Sequence, residues 1–213
     1  MEFSGKKVTV VGTGISGIGA VGLLNAVGAE VVLYDGNEKL KIEDIEKKLG
    51  TYKAEIVLGE LTKELTDSSD LLVISPGVPI DSPVVKAFEA AGVPVWGEVE
   101  LAYAFDKGKV LAITGTNGKT TTTALVGQIV GAYHKDTFVV GNIGNPYTTE
   151  VLKSNKDSYT VAEISSFQLE TVHEFHPLVS AILNITPDHL NRHYTMDCYV
   201  QTKEKIVMNQ KGS

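Results

Sequence analysis

Twice in this chain a β-branched run ends in a glycine-rich loop that opens directly into a helical stretch. The first run, Lys7 to Val11, meets Gly12-Thr13-Gly14-Ile15-Ser16-Gly17, and the spacing predicts a helix over Ser16 to Val27 that stops at Gly28. The second run, Val110 to Thr114, meets Gly115-Thr116-Asn117-Gly118-Lys119-Thr120-Thr121, followed by a helix over Thr120 to Gly131. A strand that leaves through a tight loop into a helix can only return to its sheet as a parallel neighbour. The chain is therefore expected to be α/β, with a Rossmann-like N-terminal unit built on a parallel sheet and then a P-loop-type α/β unit.

The remaining pattern supports that alternation. Glu30 to Tyr34, closed by Asp35, Glu55 to Leu58 and Leu71 to Ile74 read as strands, and Ser75-Pro76-Gly77 breaks the last of these. Glu38 to Leu49 reads as an amphipathic helix with Ile42, Ile45 and Leu49 inward, and Ser82 to Ala91 as another helix. Glu98 to Phe105 is expected to link the units, placing one domain at 1–97 and a second at 98–213. Further strands are expected at Phe138 to Val140, Tyr159 to Glu163 and Val179 to Leu183, and a last helix at Tyr199 to Val207. Asn209 to Ser213 supplies no further strand, so the second unit is expected to be incomplete and the chain truncated.

Composition excludes several classes. Among 213 residues there are 19 basic and 26 acidic side chains, and the net charge of −7 disfavours a broad nucleic-acid surface. Cys198 is the single cysteine, which excludes a disulfide scaffold. No apolar run approaches the roughly 18 residues of a membrane span. The first five residues, Met1 to Gly5, lack the apolar core of a signal peptide. A soluble, cytoplasmic protein is expected.

The chemistry lies in the loops. Glycines let backbone approach a diphosphate at the positive end of a helix, so Gly12 to Gly17 is expected to bind a nucleotide diphosphate, with Asp35 accepting from a ribose hydroxyl. This fingerprint leaves the nucleotide open, and an NAD(P)-linked oxidoreductase is one reading of it. In the second loop, backbone N–H groups would cradle phosphate, Lys119 would neutralise β/γ oxygens and the Thr120 hydroxyl would ligate Mg²⁺. The leading glycine of the usual P-loop is replaced by Ile113. An oxidoreductase needs only the first loop and a simple kinase only the second. Both together point to a nucleotide-linked substrate on one domain and ATP on the other, or to a nucleotide-binding module without turnover.

Four strings, TGTNGKTTT (114–122), GNIG (141–144), EISSFQLE (163–170) and NITPDHLNRH (184–193), resemble the Mur ligases in sequence and order, and EISSFQLE points to the branch that adds D-glutamate. The resemblance covers the whole chain. It implies ATP-dependent amide formation in peptidoglycan precursor synthesis, with UDP-N-acetylmuramoyl-L-alanine and D-glutamate as substrates, an acyl phosphate between them, and ATP with Mg²⁺ as cofactors. It implies that Gly115, Thr116, Asn117, Gly118, Lys119, Thr120 and Thr121 bind ATP. Thr120, Glu163, His189 and Lys203, the last as a carbamate, are implied as metal ligands, with Lys119, Glu163, His189 and Lys203 carrying catalysis. Gly14, Ile15, Ser16, Asp35, Ser75, Pro76, Gly77, Asn142, Ser165, Gln168 and His189 are implied to contact the UDP-linked substrate, with a departure from some members at Gly36-Asn37. The full-length protein is expected to be a monomer.

Simpler roles stand beside these. His189 and His193 are spaced as a zinc pair would be, without the acid and cysteine partners such a site needs. His173 and His176 read as surface or capping residues, Lys205 as a solvated helix face, and Asp188 as an acceptor that orients His189. Cys198 has no base at a recognisable spacing and reads as a buried, inert thiol. As a truncated chain the protein is expected not to turn over, and its second sheet to present an open edge and an apolar face.

Overall fold

The computed structural model describes residues 2–142 and 144–210. Met1, Ile143 of the GNIG string and the 211–213 tail lie outside the described residues. The N-terminal unit runs β1 (Lys7–Val11), α1 (Ile15–Ala26), β2 (Glu30–Asp35), α2 (Ile42–Leu49), β3 (Glu55–Leu58), α3 (Lys63–Ser68), β4 (Leu71–Ile74), α4 (Pro83–Ala90) and β5 (Val95–Gly97). Its five strands pair in parallel in the order β3-β2-β1-β4-β5. This is a doubly wound sheet whose strand order reverses at β1, and such a reversal opens a crevice at the strands' carboxyl ends. Val11 is in register with both Tyr34 and Ile74. The loop after β1 therefore lies between Asp35 and Ser75.

The chain continues through α5 (Glu98–Tyr103) into a second sheet unit with β6 (Lys109–Thr114), α6 (Lys119–Tyr133), β7 (Thr137–Gly141), α7 (Tyr147–Glu150), β8 (Tyr159–Glu163), α8 (Ser166–Leu169), β9 (Val179–Ile182), α9 (Leu190–His193) and α10 (Met196–Glu204). Its strands are also parallel, in the order β7-β8-β6-β9. Ile113 pairs with Glu163, and Thr114 with Ile182, so the loops after β6, β8 and β9 share one end of the sheet.

Both faces of the first sheet are covered. Val11, Val32, Leu72, Ile74 and Phe88 pack on one side. The cluster on the other side, with Val8, Val10 and Leu24, continues through Val99, Leu101 and Tyr147 to Val110 and Phe175 in the second unit. One apolar core thus joins the two units. On the second sheet, β9 is an edge strand with Leu178 and Val179 exposed, and Leu125, Ile129 and Tyr133 form an exposed stripe along α6.

Three expectations are corrected. The helix expected from Glu38 starts at Ile42, because Asn37 folds the chain into a turn by accepting from the Lys39 and Leu40 N–H groups. Ile42 is 47% exposed rather than inward, whereas Ile45 and Leu49 are buried. The last helix begins earlier, at Met196, since the Thr195 hydroxyl caps it by accepting from the Cys198 N–H, and it tightens to a 3₁₀ turn at Lys205–Val207.

Candidate functional site

The first loop is built by close backbone approach. Gly12 has φ +103°, and a Cβ there would lie 2.8 Å from the Ser75 hydroxyl. A Cβ on Gly17 would overlap the Gly12 carbonyl, so the first turn of α1 rests directly on the loop. Gly14 caps α1 with no side-chain bond and open space around it, and Ile15 is exposed beside it. The N–H groups of this helix end are therefore approachable, which is the property an anionic ligand needs.

Two elements close on this loop. Asp35 accepts from the Thr13 hydroxyl at 3.1 Å and from the Asn37 N–H at 3.1 Å, so its carboxylate fastens the loop to the end of β2. The Ser75-Pro76-Gly77 turn is closed by the Val78 N–H donating to the Ser75 carbonyl at 2.9 Å. The Ser75 hydroxyl is buried against the loop, with no hydrogen-bond partner among the described residues. The structure thus brings Gly14, Ile15, Ser16, Asp35 and the 75–77 turn to one end of the first sheet.

The second loop carries charge. Gly118, left-handed at φ +83°, turns the chain into α6. The Lys119 ammonium curls back to donate to the carbonyls of Gly115 and Thr116, both at 2.9 Å. Glu163, 1% exposed at the end of β8, accepts from the Thr120 hydroxyl at 2.9 Å and from the Asn142 amide at 2.9 Å. Thr121 is exposed on the next position of α6. Lys203, 1% exposed, reaches in from α10 and donates to the Gly115 carbonyl at 2.9 Å. Burial, with Lys119 nearby, lowers its pKa to about 8.

The segment after β9 holds the loop from outside. Asn184 accepts from the Asn117 N–H at 2.9 Å and donates back to the Asn117 carbonyl at 3.0 Å. The Thr116 hydroxyl bonds Thr186 and the Tyr199 hydroxyl. Asn184, Thr186 and Tyr199 were not singled out in the sequence, although Asn184 and Thr186 fall within the NITPDHLNRH string.

The remaining expected residues sit as follows. His189 is exposed at φ +51°, with Nε2 3.4 Å from Asp188 and its ring against Phe167. Among the described residues no group of three His, Cys, Asp or Glu side chains gathers as a metal cluster. Ser165 and Gln168 form a capping box on α8, and the buried Gln168 amide donates to Glu98 at the start of α5. Gln168 is thus held inside the protein, 3% exposed, between the end of β8 and the start of α5. His193 is buried with Nε2 3.0 Å from the Ser166 hydroxyl, and burial lowers its pKa. His173 and His176 bond Val95 and Tyr103. Lys205 donates to the Glu170 carbonyl rather than lying on a solvated face. Cys198 is exposed, correcting the buried thiol: it follows the Thr195 cap on the outer side of α10.

Comparison with known proteins finds two family models along the chain. A family described as "Mur ligase MurD-like, N-terminal domain" covers residues 6–97, and one described as "Mur ligase middle domain" covers residues 113–213. The chain is 71% identical over 210 residues to the UDP-N-acetylmuramoylalanine--D-glutamate ligase of Lachnospira eligens, covering 99% of this chain and 47% of that protein. It is 59% identical to the protein of the same description from Lachnoclostridium phytofermentans, covering 99% and 46%. The chain spans about half the length of the curated relatives it matches. Among solved structures, the UDP-N-acetylmuramate:L-alanyl-gamma-D-glutamyl-meso-diaminopimelate ligase from Neisseria meningitides shares the fold at TM-score 0.58 and 17% identity, covering 99% of this chain and 70% of that one. With a MurD-like N-terminal domain followed in tandem by the Mur ligase middle domain, this chain belongs to the Mur ligase family.

Proposed function

We propose that this chain supplies the substrate-binding and nucleotide-binding domains of a cytoplasmic, monomeric ligase that uses ATP to join D-glutamate to UDP-N-acetylmuramoyl-L-alanine. Residues 1–97 hold the UDP-linked substrate and residues 98–213 hold ATP. The observation that carries this reading is the convergence of Lys119, Thr120, Asn142 and Glu163 at one sheet end, in a chain that also has the Gly12–Gly17 loop. An oxidoreductase has no use for the second group.

The first loop binds by backbone N–H groups at the start of α1, with Ser75 offering its unpartnered hydroxyl. The second loop supplies what phosphoryl transfer from ATP to a carboxylate needs. Two anions must meet, and Lys119 offsets their repulsion where charge spreads over the transferred oxygens. The resulting acyl phosphate is attacked by the D-glutamate amine, phosphate leaves, and an amide forms. Mg²⁺ favours hard oxygen donors and one or two carboxylates alongside phosphate oxygens. The Thr120 hydroxyl and Glu163 carboxylate, 2.9 Å apart, fit that preference and would hold it. Bound there, the ion would neutralise phosphate charge. Lys203 as an amine offers no oxygen. With a pKa of about 8, part of it is a neutral amine near neutral pH, able to add to CO₂ with loss of a proton and become an oxygen donor. Asn142 and His189 approach the sugar-peptide, and Ser165 and Gln168 hold the segment that follows Glu163.

Calorimetric titration of the chain with UDP-N-acetylmuramoyl-L-alanine, run beside NADH with Mg²⁺ present, tests this. Binding of the UDP ligand with no heat from NADH is expected. Binding of NADH alone would return the chain to the oxidoreductases.

A further inference from the structure

One arginine closes the seam between the two units. Arg192 lies on α9, three residues after His189. Its Nε and Nη2 donate to the two carboxylate oxygens of Glu170, at 3.1 and 2.5 Å. Nη2 also donates to the carbonyl of Val78, in the other unit, at 2.8 Å. The guanidinium stands over the Phe167 ring at 4.9 Å, and the Arg192 and Glu170 side chains are only 12% and 6% exposed. A planar fork with spare donors can serve a carboxylate and a carbonyl together, which a lysine's single ammonium cannot do in the same plane.

Val78 is the closing residue of the 75–77 turn, and Ser75 at the other end of that turn lies against Gly12. Contacts therefore run unbroken from the first loop, through the turn and Arg192, into α9 and back to His189. The Tyr194 hydroxyl makes a second tie across the seam, to the Asp81 carboxylate. His189 at φ +51° and Tyr194 at φ +65° are the two non-glycine residues with positive φ among the described residues, and they bracket α9. Strained backbone of this kind persists where surrounding contacts over-determine it. The Arg192 and Tyr194 ties supply that determination.

We infer that Arg192 is a positioning residue that locks the Ser75–Val78 turn to the His189 turn, so that occupancy of the first loop and of the second loop are thermodynamically coupled. The ligands assigned to the two loops rest on the function proposed above; the clamp itself does not. A ligand that orders the turn lowers the ordering cost left for the second ligand, which makes the coupling positive.

The test has two arms on the whole chain. In the first, hydrogen exchange without ligand compares the wild type with Arg192→Met and Arg192→Lys. Both variants are expected to exchange faster across residues 75–82, with β3 and β7 unchanged; a residue of general structural importance would raise exchange throughout. In the second, the dissociation constant of UDP-N-acetylmuramoyl-L-alanine is measured with and without a non-hydrolysable ATP analogue and Mg²⁺. The wild type is expected to show coupling of about fivefold or more, and both variants a ratio near one. Unchanged exchange at 75–82 in Arg192→Met, or retained coupling, overturns the inference, and wild-type behaviour of Arg192→Lys refutes the fork. If the wild type binds no UDP ligand, the functional reading fails while the exchange arm still decides the clamp. Should Arg192→Met not fold, Glu170→Gln breaks the same fork while preserving side-chain shape.

Discussion

Both glycine loops leave the carboxyl end of a parallel strand and enter a helix N-terminus, yet they are equipped differently. The first, Gly12 to Gly17, contains no ionisable side chain. Its carboxylate neighbour Asp35 is turned onto Thr13, and among the described residues the cation that reaches the loop comes from α2, where Lys48 meets the Thr13 carbonyl at 3.4 Å. The second encloses Lys119 and stands between Glu163 and Lys203. Under the function proposed, the difference separates holding from reacting. A diphosphate that only has to be held can be met by backbone N–H groups, whereas a phosphoryl group in transfer needs full charges placed where its own charge develops.

The sharpest way to break this comparison is on the first loop's backbone. Gly17→Ala would push a Cβ into the Gly12 carbonyl, with no side chain able to yield. Its cost is expected at about 3 kcal/mol, the upper end for overpacking, and urea denaturation would register it as a lower midpoint. Gly14→Ala meets open space. It should change stability by less than about 1 kcal/mol, in the range of cap substitutions, yet weaken the UDP ligand if, as proposed, phosphate approaches the loop there. Equal stability losses in the two variants would mean the loop is not built by close approach at Gly17.

On the second loop the effect should appear in binding rather than folding. Lys119→Met removes a charged donor worth about 1.5–3 kcal/mol. The affinity for Mg·ATP is expected to fall by roughly tenfold to a hundredfold, while the UDP ligand binds as before. A parallel loss at both loops would show that the two are not chemically separate.

The smallest effect concerns two buried glutamates on α5, which lies between the loops. Glu100 accepts from the backbone N–H groups of His173, Glu174 and Phe175. Among the described residues Glu98 receives only the Gln168 amide, and its Oε2 has no partner. Burial accordingly raises the Glu98 pKa. Between the ordinary carboxylate pKa and this raised value the native state binds more protons than the unfolded state, so stability is fully present below the window and falls as pH rises through it. Glu98→Gln should flatten that slope and be the more stable protein above it. Thermal unfolding across pH would show this, and a variant that keeps the wild-type slope would contradict it.

Much of the fold was legible because strands, glycine loops and crossover helices leave strong local periodicity. Lys7–Val11, Glu55–Leu58, Leu71–Ile74 and Tyr159–Glu163 have the same bounds in the sequence reading and in the structure. What escaped was short or non-local. β5 has three residues beside Pro94, too few to show a period, and α7, α8 and α9 are single turns held by capping and tertiary contacts. Ile42 fits a helical stripe that points inward, but α2 starts with it and its first turn faces solvent. The site divides in the same way. Lys119, Thr120 and the glycines announce themselves through spacing, while Lys203 stood out only through family resemblance. The Arg192 clamp joins residues 114 apart in the chain, and no local pattern encodes that pairing.

The central claim is that the two loops hold different ligands at once. Titrating UDP-N-acetylmuramoyl-L-alanine into the chain already saturated with Mg²⁺ and a non-hydrolysable ATP analogue tests it most directly. One equivalent should still bind, at least as tightly as without the nucleotide, and Lys119→Met should leave that binding intact. Competition between the two ligands, with the UDP heat vanishing as nucleotide is added, would mean they share a single site and would contradict the account.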